Sequence, residues 1–447
     1  MTTHRIATIA RIALAAAILL LAAHPSPAQQ LSGPKLDLTP VKPESVGFSS
    51  ERLERLHTLM QKEVDQKQFS GIVTLLARHG KVVDYRAYGV RDLTSGAPMT
   101  TDTIFRDYST TKPVTGVAMM ILHEQGKWLP SDPISKFVPE FANLKVFKSV
   151  DASGKMILVD PDHAPTMREL MTHTAGFSSG NGKTVVDAMY KDQHVLDSKN
   201  LQEMIDKLAT VPLLYQPGTK WIYSVSMDIE GYIIEKLSGQ TLPDFMRDQI
   251  FTPLGMRDAA FYVPDEKRDR FAELYKADAD GKLVVDPDAS DACCGLREFK
   301  VQPTKPSGGG GMVSTTEDYY RFAQMFLDRG ELNGVRILAP SSIQLMATNR
   351  IPESMLTGEY RVGTQILRPG FGYGYNGAVE FDPQLADLPD GKGTYLWSGI
   401  AGTWFWVDPT NDVVFIGMVQ RMTADTSPHL GYLSRALVYQ ALVDPAK

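Results

Sequence analysis

The chain runs to 447 residues, 43% hydrophobic and 22% charged, enough for one large globular domain or two modest ones. A formal net charge of -6, with acids and bases scattered along the chain, excludes the basic footprint of a nucleic-acid binder and favours small-molecule partners. The nine His show neither H-E-x-x-H nor paired Cys/His spacing, so no metal and no other cofactor is expected.

Residues 1-28, MTTHRIATIARIALAAAILLLAAHPSPA, carry Arg5 and Arg11 ahead of an apolar run and end in a small-residue site, Ser26-Pro27-Ala28. This is the pattern of a cleavable secretory signal, and it implies a periplasmic or secreted protein. The apolar run is short for a bilayer span, and no later stretch is apolar enough, so no integral membrane anchor is expected after cleavage. Residues 29-48 then read as a Pro-containing linker, and SSERLERLHTLMQKEVDQ as a helix opened by Ser50. Next, GIVTLLARHGKVVDYRAYGVRD gives two strands around Arg78-His79-Gly80-Lys81, a hairpin with a Gly-assisted turn.

Ser109-Thr110-Thr111-Lys112 follows, with Pro113 behind it and the helical pattern VTGVAMMILHEQG beyond. A serine hydroxyl is a weak nucleophile until a base takes its proton, and a lysine three residues on projects from the same helical face. Pro113 is tolerated only near a helix start, which places Ser109 and Lys112 in the first turn, at the positive end of the helix dipole. The same S-x-x-K spacing recurs at Ser32-Gly33-Pro34-Lys35 in the linker, so the motif alone does not single out a site.

From 131 to 311 short helical stretches such as MRELMTH and LQEMIDKLATV alternate with loops rich in Gly, Pro, Asp and Ser, the signature of a mostly helical lobe. Cys293 and Cys294 lie here, and adjacent cysteines reach disulfide geometry only with strain, so they are expected as loop thiols. Body segments at 49-130 and 312-447 complete the domain. At the far end GTYLWSG, TWFWVDP and DVVFIGMVQ read as strands and about Leu430 to Leu442 as a closing helix. The expected fold class is α+β: an antiparallel sheet drawn from both ends of the chain, flanked by N- and C-terminal helices, with a cleft against the lobe.

Company raises Ser109 above chance. PGTKWIYSVSMD holds Tyr223 behind a Pro217-Gly218 turn, and TYLWSGIAGTW holds Trp397-Ser398-Gly399, where a close backbone approach would need the glycine. With IFRDYSTTKPVTG, MRELMTHTAGF and SGGGGMVSTTEDYYRFAQMF, these stretches make the mature chain resemble the serine β-lactamase and penicillin-binding-protein superfamily, class C type, and most of all the family VIII carboxylesterases. The resemblance implies a β-lactamase/transpeptidase-like fold, acylation of Ser109, and proton transfer by Lys112 and Tyr223. It also implies an oxyanion hole from the backbone N–H groups of Ser109 and Ile400.

Two departures favour esters over lactams. Trp397-Ser398-Gly399 stands where penicillin-recognising enzymes usually have Lys-Thr-Gly, and Val225 where lactamases commonly have Asn. An aromatic cannot supply the lysine's ion pair to a substrate carboxylate. A small-molecule ester is therefore the expected partner. A β-lactamase or D-amino-acid peptidase of the same fold, and a catalytically silent binding protein, are the alternatives. Trp404, Phe405 and Trp406 are candidates for the pocket wall or the core. Gly176-Phe177-Ser178-Ser179-Gly180 satisfies G-x-S-x-G, but a helix precedes Ser178 and a loop follows it, the reverse of a nucleophile elbow.

Overall fold

A computed structural model describes residues 33, 35-286, 299-355, 367, 369-422 and 430-446. Residues 1-28, Ser32 and the Cys293-Cys294 pair lie outside them. Helix α1 (Ser50–Asp65) opens at Ser50 as expected, with Ser49 as its cap, its Oγ accepting the Arg52 N–H at 3.3 Å, while Ser50 Oγ donates to Glu44 Oε1 at 2.7 Å. Strands β1 (Gly71–Arg78) and β2 (Lys81–Asp92) form the expected hairpin. Its two-residue turn has positive φ at both His79 (54°) and Gly80 (66°), the twist that matches paired strands.

Strands β3 (Ala97–Pro98) and β4 (Ile104–Arg106) lead to helix α2 (Thr111–Glu124). The middle of the chain carries α3 (Met167–Met171), α4 (Val185–Asp192), α5 (Leu201–Leu208) and α6 (Ser226–Ser238). Two short hairpins interrupt it, Val146–Val150 with Met156–Val159 and Tyr275–Ala277 with Leu283–Val285, so the lobe is less purely helical than its sequence suggests. Strand β5 (Val313–Thr315) pairs with β4 and runs into α7 (Thr316–Leu327). The sheet is completed by β6 (Phe371–Tyr373), β7 (Ala378–Glu380), β8 (Thr394–Ser398), β9 (Trp404–Asp408) and β10 (Val413–Met418), and α8 (Leu430–Tyr439) closes the chain.

The eight-stranded sheet has the order β6-β7-β8-β9-β10-β1-β2-β3, antiparallel throughout, so the last strand of the chain pairs with the first. Every residue of β1 and of β10 is buried, because helices cover both faces. On one face lie α1 and α8, on the other α7. The pleat then assigns the aromatics of β9. Trp404 and Trp406 point to the α8 side, where Trp404 Nε1 donates to Ser434 Oγ at 3.2 Å and Trp406 stacks on Phe415 at 4.4 Å. Phe405 points the other way, 4.9 Å from the Tyr319 ring of α7. All three are core, and the pocket reading of Trp404, Phe405 and Trp406 is corrected: alternation along a strand covered on both sides buries consecutive aromatics in opposite layers.

The Trp404 indole lies over Gly417 of β10, where an added Cβ would meet the ring at 2.1 Å. Gly417→Ala should therefore cost ~1–3 kcal/mol through overpacking, read as a lower denaturant midpoint with an unchanged slope. An unchanged midpoint would mean that the indole does not seat on this glycine.

Candidate active site

Ser109 occupies a 3₁₀ turn, Tyr108–Thr110, that passes directly into α2. The start is tighter than the plain helical turn expected, yet the i, i+3 relation survives: Lys112 Nζ donates to Ser109 Oγ at 3.2 Å. Pro113 sits within the first turn of α2, where a missing N–H is tolerated. Tyr108, next to the serine, has φ +45°, an expensive conformation for an aromatic residue, and packs its ring edge-on against Phe299 at 5.5 Å.

Asp107 ties this turn to the sheet. Its carbonyl accepts Thr110 N–H (3.2 Å), Thr110 Oγ1 (2.8 Å) and Thr403 Oγ1 (2.9 Å), and its N–H donates to the Met312 carbonyl (3.0 Å). Gly399, at the end of β8, backs onto the same carbonyl so closely that a Cβ would stand 2.3 Å from it. The glycine of the third motif is there because no side chain fits. Burial pushes the Asp107 carboxyl up to about 8; Oδ1 accepts Ser314 Oγ at 2.7 Å.

Tyr223 lies on a stretch without regular secondary structure, between the Pro217-Gly218 turn and α6. Its hydroxyl donates to Ser109 Oγ at 2.6 Å, and Lys112 Nζ lies 4.5 Å from its ring centroid. Trp397 stacks on the Tyr223 ring, centroids 5.8 Å apart at 29°, and meets Tyr373 edge-on at 5.3 Å. At 2% exposure Trp397 is packing for Tyr223 rather than an open wall of a pocket. Ser398 is half-buried at the end of β8, its Cα paired with Trp404. Ile400 follows in the turn closed by the Gly402 N–H to Gly399 carbonyl bond, half-buried against the cluster that holds Tyr108.

Around this centre lie residues that the sequence did not single out. Lys112, 3% exposed, donates to the Gly309 carbonyl at 2.5 Å. Asp228, in the first turn of α6, holds that glycine-rich loop, accepting Ser307 Oγ at 2.5 Å and Gly309 N–H at 3.3 Å. Asn376 Nδ2 donates to the Lys112 carbonyl (3.2 Å) and to Glu230 Oε2 (2.6 Å), whose carboxyl burial pushes up to about 8. His173 lies 4.9 Å from the Tyr223 ring; burial, and then the Lys112 charge, hold its imidazole well below its ordinary range. The SGGGG run and the THTAGF stretch carried the signal for Gly309 and His173, but only their fold neighbours give them a role.

Ser178 stands apart. It is 2% exposed, its Oγ donates to Asp187 Oδ1 and accepts the Gly180 N–H at 3.1 Å, and it secures a loop instead of facing a base. Among the described residues no group of three or more His, Cys, Asp and Glu is placed to hold a metal, and no helix is long and apolar enough to cross a membrane.

The family model described as Beta-lactamase matches residues 56–440. The chain is 33% identical over 367 residues to Protein Rv1367c of Mycobacterium tuberculosis (strain ATCC 25618 / H37Rv), covering 80% of this chain and 87% of that one. It is 29% identical over 373 residues to Esterase EstB of Burkholderia gladioli, covering 79% and 86%. Among solved structures, EstCE1, a hydrolase with promiscuous acyltransferase activity, superposes with a TM-score of 0.74 at 27% identity, over 87% of this chain and 99% of that one.

Two substitutions probe this geometry by steady-state kinetics. Gly399→Ala should push β8 away from the Ser109 turn and lower kcat by roughly 10²-fold, the scale of a misplacement of about 1 Å; a wild-type kcat would deny the close approach. Ser178→Ala should keep substantial activity, because its hydroxyl serves only the loop; a folded but inert variant would move the nucleophile to Ser178.

Proposed function

The chain belongs to the β-lactamase family as a serine hydrolase of that fold, and from that premise we propose that it cleaves carboxylic esters through an acyl-enzyme on Ser109. Tyr223, as phenolate, takes the proton from Ser109 Oγ while Oγ bonds to the ester carbonyl carbon. At ordinary pKa values both Tyr223 and Lys112 are protonated at neutral pH, so the ammonium beside the ring is what favours the ionised phenol. The hydroxyl pair at 2.6 Å already has the heavy-atom spacing for this transfer in either direction. Backbone N–H groups of Ser109 and Ile400 receive the oxyanion, with the start of α2 adding its dipole.

Collapse of the tetrahedral adduct expels the alcohol, whose oxygen takes the proton held by Tyr223, and leaves the acyl group on Ser109. Water then gives a proton to Tyr223 and attacks the acyl carbon. The second adduct releases the acid as Ser109 recovers its proton.

The observation that carries esters over lactams is Trp397, stacked on Tyr223 where the lactam-processing relatives place a lysine. Val225, 3% exposed and capping α6, offers no side-chain amide either. Without that lysine, a substrate carboxylate entering the site would lose hydration without gaining its ion pair, whereas a neutral ester loses nothing comparable. The 1-28 leader supports export, to the periplasm or the medium; retention of activity in the cytoplasm of cells making the full-length chain would count against it.

Ser109→Ala should lose nearly all ester hydrolysis while keeping its fold. Tyr223→Phe should lower kcat by roughly 10²-fold or more, with a smaller change in KM, as loss of a positioned proton carrier does. Near-wild-type kinetics in either variant would remove that residue from the reaction. Short-chain nitrophenyl esters should turn over efficiently and benzylpenicillin weakly or not at all. Comparable kcat/KM for the two would mean that a group other than residue 397 binds the carboxylate, and the esterase reading would fall.

A further inference from the structure

Tyr223 has no helix or strand of its own to hold its hydroxyl 2.6 Å from Ser109 Oγ. The residues on either side of it are instead bonded to one partner. The Ile222 N–H donates to the His173 carbonyl at 2.8 Å, and the Ser224 N–H donates to His173 Nδ1 at 3.2 Å, while the imidazole lies 4.9 Å from the Tyr223 ring. An amide N–H can only donate, so Nδ1 is the acceptor and the ring proton belongs on Nε2. Ser224 Oγ, 3.0 Å from the same Nδ1 and 2.7 Å from Ser226 Oγ, extends the contact to the first residue of α6.

His173 is itself fixed. It follows α3, whose start is locked by a reciprocal cap between Thr166 and Glu169, and its N–H donates to the Leu170 carbonyl at 3.2 Å. It takes φ +57°, which costs a histidine energy and would not persist without a purpose or a compensating contact. At 1% exposure beside the Lys112 charge its imidazole stays neutral, and the Nδ1 lone pair stays available.

We infer that His173 is the positioning residue for Tyr223, clasping the chain on both sides of it so that the phenol oxygen stays within proton-transfer distance of Ser109. The inference rests on the reading of Tyr223 as the proton carrier. A histidine that merely fills the core would affect stability. One that acts through Tyr223 affects kcat, and only while the Tyr223 hydroxyl is present.

The experiment is a double-mutant cycle on a nitrophenyl ester, with thermal unfolding alongside. Glycine and asparagine both accept φ +57°, but only asparagine returns an acceptor near the Nδ1 position. His173→Gly should lower kcat by roughly 10²-fold with little change in KM, and His173→Asn should recover to within about tenfold of wild type. In a Tyr223→Phe background His173→Gly should add little further loss. Wild-type kcat in His173→Gly, or a loss that multiplies in full on top of an impaired Tyr223→Phe, would overturn the inference and leave the role of Tyr223 standing. Wild-type turnover by Tyr223→Phe alone would strike the reading of Tyr223 and the inference together. Should His173→Gly not fold, His173→Asn against His173→Gln carries the comparison, because the glutamine amide reaches toward Nε2 instead; equal kcat in those two would overturn it.

Discussion

Lys112 carries its side chain into a place where only 3% of the residue meets solvent, and an ammonium so buried costs several kcal/mol unless its protons find acceptors. The fold supplies them from separate parts of the chain. The Gly309 carbonyl comes from the loop before β5, Ser109 Oγ from the turn before α2, and the face of Tyr223 from the lobe. Satisfying one charge therefore brings together Ser109, Tyr223 and the glycine-rich loop. Asp228 extends the same demand outward, since it holds the loop whose carbonyl the ammonium needs.

Two groups that feel this charge are shifted by burial toward their neutral forms. His173 is held well below its ordinary range, and Glu230 is pushed up to about 8. Behind Tyr223, Trp397 stacks on its ring and Tyr373 meets Trp397 edge-on, which fixes where the phenol sits.

Much of this was legible in the sequence where the physics is local. The Arg78 to Lys81 turn, the run of apolar strands at the two ends, the helix after Pro113 and the i, i+3 placement of Lys112 on Ser109 depend on neighbours in the chain, and all are found. Gly399 was legible too, because a glycine at the end of an aromatic strand has few reasons to be there except a close approach. What escaped is tertiary. Nothing local says that the Gly309 carbonyl faces Lys112, that His173 brackets Tyr223, or that Asn376 ties the Lys112 carbonyl to Glu230. Trp404, Phe405 and Trp406 were open to misreading because an aromatic run looks like a pocket wall until both faces of its sheet are known to be covered. Trp397 was read from the sequence as a departure from the carboxylate-binding lysine, and in the fold its ring contacts Tyr223.

The central claim is that Ser109, activated by Tyr223 beside a buried lysine, becomes acylated. Rapid-quench mass spectrometry with a slowly deacylating nitrophenyl ester tests it most directly. The account expects a mass gain of one acyl group, formed at the rate of the nitrophenol burst and mapped to the peptide containing Ser109. An adduct on another residue, Ser178 above all, or ester turnover with no covalent intermediate on Ser109 under conditions where its formation outpaces its hydrolysis, would contradict it.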